Sequence, residues 1–203
     1  MRDDELTSAT DDGFVLDVAA RRGATLHPRT APADDDVRGG VRHLLVGRTD
    51  GVPWSVTLLP GSPGSPGSPG SPGSPGTTAR DAVPPRIVWC CADPAVTAAA
   101  PDGPGRRFGV RRGGPGPGGC LGPGWTVDDP GGVLDDDLVP LVLHWPPARW
   151  GPADERPARL DAVLLGAQGL EVTAHGWWAG AAALDQLVTL GVEVADRLRR
   201  TGP

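Results

Sequence analysis

Four histidines (His27, His43, His144 and His175) and three cysteines (Cys90, Cys91 and Cys120) are the side chains with which this chain could ligate a metal or act as base or nucleophile. Their spacing matches no chemical motif. No H-E-x-x-H pair sets two imidazoles on one helical face, no G-x-S-x-G elbow exposes a serine, and no glycine-rich loop ends in G-K-S/T. Cys90 and Cys91 are adjacent in an apolar run, and neighbouring strand residues face opposite sides, so the two thiols do not form a chelating pair. An odd number of cysteines makes no disulfide framework. A His/Cys site would have to be assembled in space from His43, Cys90, His144 or His175, which lie in different parts of the chain.

Other candidate patterns lose force once their chemistry is considered. Gly114-Pro-Gly-Pro-Gly-Gly119 fits G-x-G-x-x-G, but a dinucleotide site needs a strand before it and a helix N-terminus after it. Cys120-Leu-Gly-Pro-Gly124 does not open a helix. Asp34-Asp-Asp36 reads as a solvated loop, because three successive carboxylates diverge and a hard cation needs converging oxygens. Arg106, Arg107, Arg111 and Arg112 read as the solvated margin of a strand, with contact to an acidic partner as the alternative. Trp145-Pro-Pro-Ala-Arg-Trp150 has the aromatics of a proline-recognition groove, and the bland alternative is an intrachain latch. No catalytic residue, cofactor-binding residue or metal ligand is assigned.

Composition narrows the functional classes. The net charge is −6, so phosphate neutralisation, the main source of nucleic-acid affinity, is not expected. All 19 basic residues are arginine, and Lys, Asn and Tyr are absent, a skew that follows a GC-rich codon supply rather than ligand chemistry. No apolar run approaches the ~20 residues of a membrane span, and Met1-Arg-Asp-Asp-Glu5 has no signal-peptide core. A soluble, cytoplasmic location is the expectation.

The elements that must position these residues follow from periodicity. Thr10 is the expected cap of a first helix, with Phe14, Val15, Val18 and Ala19 at helical spacing and Gly23 as its stop. A short strand follows over Ala24–His27. Val41–Gly47 and Val52–Leu59 read as antiparallel strands around Arg48-Thr-Asp-Gly51, with Trp54, Val56 and Leu58 on one face. Arg86–Ala92 is almost wholly apolar and reads as a central strand covered on both faces. Arg106–Arg112 alternates Phe108 and Val110 with arginine. Val133-Leu-Asp-Asp-Asp-Leu138 starts a helix that Pro146 ends, and Leu160–Leu165 and Leu170–Ala174 form a hairpin. From Ala181 to Arg200, Leu184, Leu187, Val188, Gly191, Val194 and Leu198 form the stripe of an amphipathic helix lying across a sheet.

Glycine and proline, 31 and 24 in number, are clustered rather than spread. The Ser-Pro-Gly repeat within residues 60–80 interrupts what is otherwise a strand pair, and it reads as a disordered insertion whose closure cost grows only with the logarithm of its length. The domain expectation is a disordered N-terminus over 1–9, an N-terminal α/β half over 10–112 carrying the 60–80 insertion, a Gly/Pro-rich linker over 113–132, and a helix–hairpin–helix half over 133–200. The fold class is α+β: an antiparallel sheet with helices packed mainly on one face, compatible with two similar α/β halves, and with long disordered loops.

This order of pieces resembles a group of proteins from GC-rich bacteria that carry a domain without an assigned activity. The resemblance rests on Ala19-Ala-Arg-Arg-Gly23, on the turn Gly47-Arg-Thr-Asp-Gly51, on Phe108-Gly-Val110, and on Gly169-Leu-Glu-Val-Thr-Ala-His-Gly-Trp-Trp178 with the helix that follows to Leu198. It implies no catalytic residue, cofactor or ligand. The function expected from the residues is therefore non-catalytic, through contacts with a protein partner whose identity the sequence does not give. A ligand site or enzyme built on the histidines and cysteines is the alternative, and self-association the second alternative.

Overall fold

Alternation along the strands sorts this chain into two faces. In the computed structural model, which describes residues 13–28, 43–59, 86–97, 108–113, 121–145, 159–166, 168–175 and 180–200, the odd-one-out periodicity of Val52–Leu59 is realised literally. Val52, Trp54, Val56 and Leu58 are buried while Pro53, Ser55, Thr57 and Leu59 are half-buried. The elements are α1 (Gly13–Arg22), β1 (Thr25–Pro28), β2 (His43–Thr49), β3 (Val52–Leu59), β4 (Arg86–Cys91), α2 (Pro94–Thr97), β5 (Gly109–Arg112), β6 (Trp125–Asp128), α3 (Leu138–Leu143), β7 (Arg159–Gly166), β8 (Gly169–His175) and α4 (Gly180–Arg200). The eight strands make one sheet in the order β1-β2-β3-β4-β8-β7-β5-β6, antiparallel at every pair. The α+β class expected from the sequence is the observed one.

The register produces a single apolar row across all eight strands. Leu26 pairs Leu45, Leu45 pairs Val56, Val56 pairs Trp89, Trp89 pairs Val172, Val172 pairs Val163, Val163 pairs Val110, and Val110 pairs Val127. The six central members are almost fully excluded from water. At ~1.5–3 kcal/mol for each buried large side chain, such a row outweighs any local propensity and fixes which face turns inward. Amphipathic α4 covers its middle, packing against β3, β4 and β8, with Leu184, Leu187, Val188, Val194 and Leu198 all buried. The other three helices all touch α4, so the helices form one layer on one side of the sheet.

Small residues allow the closest approaches. Gly191 of α4 sits over the ring of Trp89, where a Cβ would come to 2.5 Å from Cε2 and 2.7 Å from Cε3. Asp50 and Gly51, with φ of 49° and 78°, form the two-residue turn between β2 and β3, the backbone twist that Asp-Gly favours. Gly23 (φ 60°) closes α1, and the Ala24 N–H donates to the Ala19 carbonyl at 2.8 Å.

Several details depart from the sequence reading. Residues 113–132, read as a linker, contain β6, which pairs with β5 and closes one margin of the sheet. The two expected halves share one continuous sheet through the β4–β8 and β7–β5 pairs, rather than meeting at that linker. The helix expected from Val133 begins only at Leu138. Carboxylates explain the delay: Asp129 accepts the N–H groups of Val133 and Leu134, and Asp135 Oδ1 accepts those of Asp137 and Leu138, so local side-chain bonds hold the intervening backbone out of the helix. β4 is central as expected, but α4 covers it on one face only, with Val88 and Cys90 half-buried on the other. The Thr10 cap, the 1–9 segment, the Ser-Pro-Gly tract, Cys120, Trp150 and Trp177-Trp178 lie outside the described residues.

Candidate interaction face

The histidines and cysteines do not converge. His43 opens β2 on the helix-covered face, is 9% exposed, and pairs across to Leu58. Cys90 lies on the opposite face of β4, whereas its neighbour Cys91 joins the core. His144 is exposed at the C-terminus of α3, where its backbone N–H donates to the Pro140 carbonyl at 2.9 Å. His175 ends β8, its backbone flanked by Arg86 and Arg159. Among the described residues no three His, Cys, Asp or Glu side chains are grouped to hold a metal ion.

Both described thiols are held protonated. Burial, then the charge of Glu171 across the β4–β8 pair, raises the pKa of Cys90. Burial also raises Cys91, against an opposing hydrogen bond from the Asp93 backbone. A nucleophilic cysteine needs the reverse environment, a nearby positive charge or helix N-terminus that favours thiolate. Glu171 is itself anchored by the Thr173 hydroxyl, which donates to Oε1 at 2.8 Å.

The side of the sheet turned away from the helices is the largest feature that sequence motifs did not announce. Two rows cross it. One runs Thr25, Val46, Ser55, Cys90, Glu171, Leu164, Gly109, Asp128, and the other runs His27, Leu44, Thr57, Val88, Thr173, Ala162, Arg111, Thr126. The surface mixes half-buried Leu44, Val88 and Leu164 with Val46, which is 41% exposed, and with hydroxyls and charges. No helix among the described residues packs against these rows. The only sequence signal for this face was the alternate set of residues along each strand, which hydrophobic periodicity discards as the outward set.

At one margin the charge is organised. Arg112 stacks over the Trp125 ring, its guanidinium carbon 4.5 Å from the ring centre, and its Nε donates to the Leu160 carbonyl at 3.1 Å. Burial, then the neighbouring positive charge of Arg159, lowers the Arg112 pKa, and Asp161 opposes the shift. Asp161 is the extra residue of a bulge in β7, between Leu160 and Ala162, and it pairs with Arg159 at 3.4 Å. On the helix side, Arg22 of α1 spans to α4, with Nε 2.6 Å from Asp185 Oδ1 and Nη2 2.7 Å from Thr189 Oγ1. Arg199 and Arg197 tie the end of α4 to Asp93 and Asp135. These six helix-side groups are thus paired with one another.

Comparison of the chain with family models, with curated proteins and with solved structures finds no match. No helix among the described residues is long and apolar enough to cross a membrane.

Proposed function

We propose that this domain is non-catalytic and acts through protein–protein contacts made by the helix-free face of its sheet. The observation that carries this reading is the asymmetry of the sheet. One face is packed by α4 and its companions over β1 to β4 and β8, and the other presents Leu44, Val46, Val88 and Leu164 with no helix over them among the described residues. Seven strand spacings by about five residues give a twisted face of roughly 35 × 17 Å, or ~600 Å², about three quarters of what one partner contributes to a standard protein interface. Apolar side chains interleaved with Ser55, Thr57, Glu171 and Arg111 have the mixed character of a non-obligate interface. The enzyme alternative draws no support from the geometry, since His43 and Cys90 face opposite sides of the sheet and both described thiols are held protonated.

A photocrosslinking amino acid at position 46, introduced into the chain in the cells that make it, is expected to trap a discrete partner. Val46→Asp should abolish capture by a crosslinker placed at position 44, while Leu16→Asp, on the exposed side of α1, should leave it intact. Absence of any reproducible adduct, or equal capture by all variants, would refute the proposal. An adduct made solely with a second copy of the chain would replace it with self-association through the same face.

A further inference from the structure

We infer that the end of this face where β4, β8, β7 and β5 lie side by side docks an acidic segment of a partner protein. This inference rests on the reading of the face as an interaction surface and names the chemistry of its partner. Arg86, the first residue of β4, is exposed and pairs in register with His175 of β8, which on its other side pairs with Arg159 of β7. Arg111 of β5 is exposed and pairs with Ala162 of β7. Arg112, the next residue of β5, turns to the opposite face, where it stacks on buried Trp125 and donates to the Leu160 carbonyl, so it stands behind this group and not in it. Three arginines, Arg86, Arg159 and Arg111, thus share this end of the face, and one of them, Arg159, is engaged with Asp161. Arg86 and Arg111 have no ion-pair or side-chain hydrogen-bond partner among the described residues.

The clustering is not a by-product of composition, because the chain as a whole carries −6. Arg86 and Arg111 bring two exposed positive charges to this end of the sheet that no carboxylate among the described residues pairs. A partner carboxylate would pair with them, and arginine offers it a planar two-pronged donor set. Size and surroundings choose the partner. From Arg86 to Arg111 is three strand spacings and two residues, about 16 Å. An extended peptide covers that distance in about five residues at ~3.4 Å each, so acidic groups four or five positions apart match the two arginines. A nucleic acid needs a longer track of phosphate contacts than the ~16 Å these arginines span.

The test uses the full chain and a fluorescent dodecapeptide with two aspartate pairs separated by four residues, followed by anisotropy. Saturable binding is expected at 50 mM salt, weakened about fivefold or more at 300 mM. The double variant Arg86→Glu/Arg111→Glu should weaken it at least tenfold, Arg86→Gln/Arg111→Gln by a smaller factor, and Arg21→Glu on α1 not at all, each with an unchanged melting temperature. If the glutamate pair fails to fold, the glutamine pair carries the comparison. No saturable binding at 50 mM salt, equal binding by the glutamine pair, or tighter binding of a single-stranded oligonucleotide than of the peptide would overturn the inference. Peptide failure with surviving capture at position 46 would remove this inference and leave the interaction face standing; loss of both would remove the two together.

Discussion

Gly191→Ala separates helix propensity from packing, because the two make opposite predictions at that site. Gly191 lies in the interior of the 21-residue helix α4, where replacing glycine by alanine gains about 1 kcal/mol of backbone propensity. A Cβ there would meet the Trp89 ring at 2.5 and 2.7 Å, far inside ordinary contact. Trp89 is fully buried and held between Val56 and Val172 in the central row, so the ring has no vacant direction in which to retreat. Overpacking a dense core costs ~1–3 kcal/mol, and here the clash is with the middle of a rigid ring, which places the cost at about 3 kcal/mol. The net expectation is a loss of about 2 kcal/mol, or about 5 °C in Tm for a chain of this size. Urea unfolding followed by tryptophan fluorescence and far-ultraviolet circular dichroism measures it, with an unchanged m value required. In a Trp89→Leu background the ring is gone and the same substitution should become neutral or stabilising. A wild-type background in which Gly191→Ala raises the midpoint would refute the account of α4 resting on Trp89.

Further outcomes follow from the same contacts. Gly169→Ala should destabilise by about 3 kcal/mol, because φ is 116° and the added Cβ would run into the Cys91 carbonyl oxygen; chemical denaturation checks it. Arg22→Ala removes bonds to Asp185 and Thr189 and should cost about 1–2 kcal/mol, with amide exchange rising in α1 before the sheet. In a Cys120→Ser background, Cys90 should alkylate slowly at pH 8, and Glu171→Gln should speed it by removing the charge that raises its pKa. Because both described thiols have folded-state pKa values raised above the ordinary 9.0, their protonated forms favour the folded state. That stability is present below pH 9 and is lost as pH rises above it, so urea midpoints should fall above pH 9 and fall less in Cys90→Ser.

What the sequence determined by itself was the inward face of the longer, regularly patterned elements. Val52–Leu59 alternates with period two, α4 carries Leu184, Leu187, Val188, Val194 and Leu198 along one stripe, and Asp50-Gly51 turns the chain between β2 and β3. These are local properties, set by backbone geometry and by which side chains leave water, and they are written in consecutive residues. Strand β6 escaped notice because four residues bounded by glycine and proline carry too little pattern, and its place depends on Trp125 meeting Arg112 across the pair. Strand partners were decided by tertiary structure. Nothing in Arg86–Cys91 names Gly169–His175 as its neighbour, since periodicity specifies a face and not a mate, and a register slip of one residue would expose the whole apolar row. Only the closed packing of α4 over Trp89 and Val172 selects that register. The same selection brings Arg86, Arg159 and Arg111, far apart along the chain, to one end of the face over which no described helix packs, so the candidate site could not be read before the strands were paired.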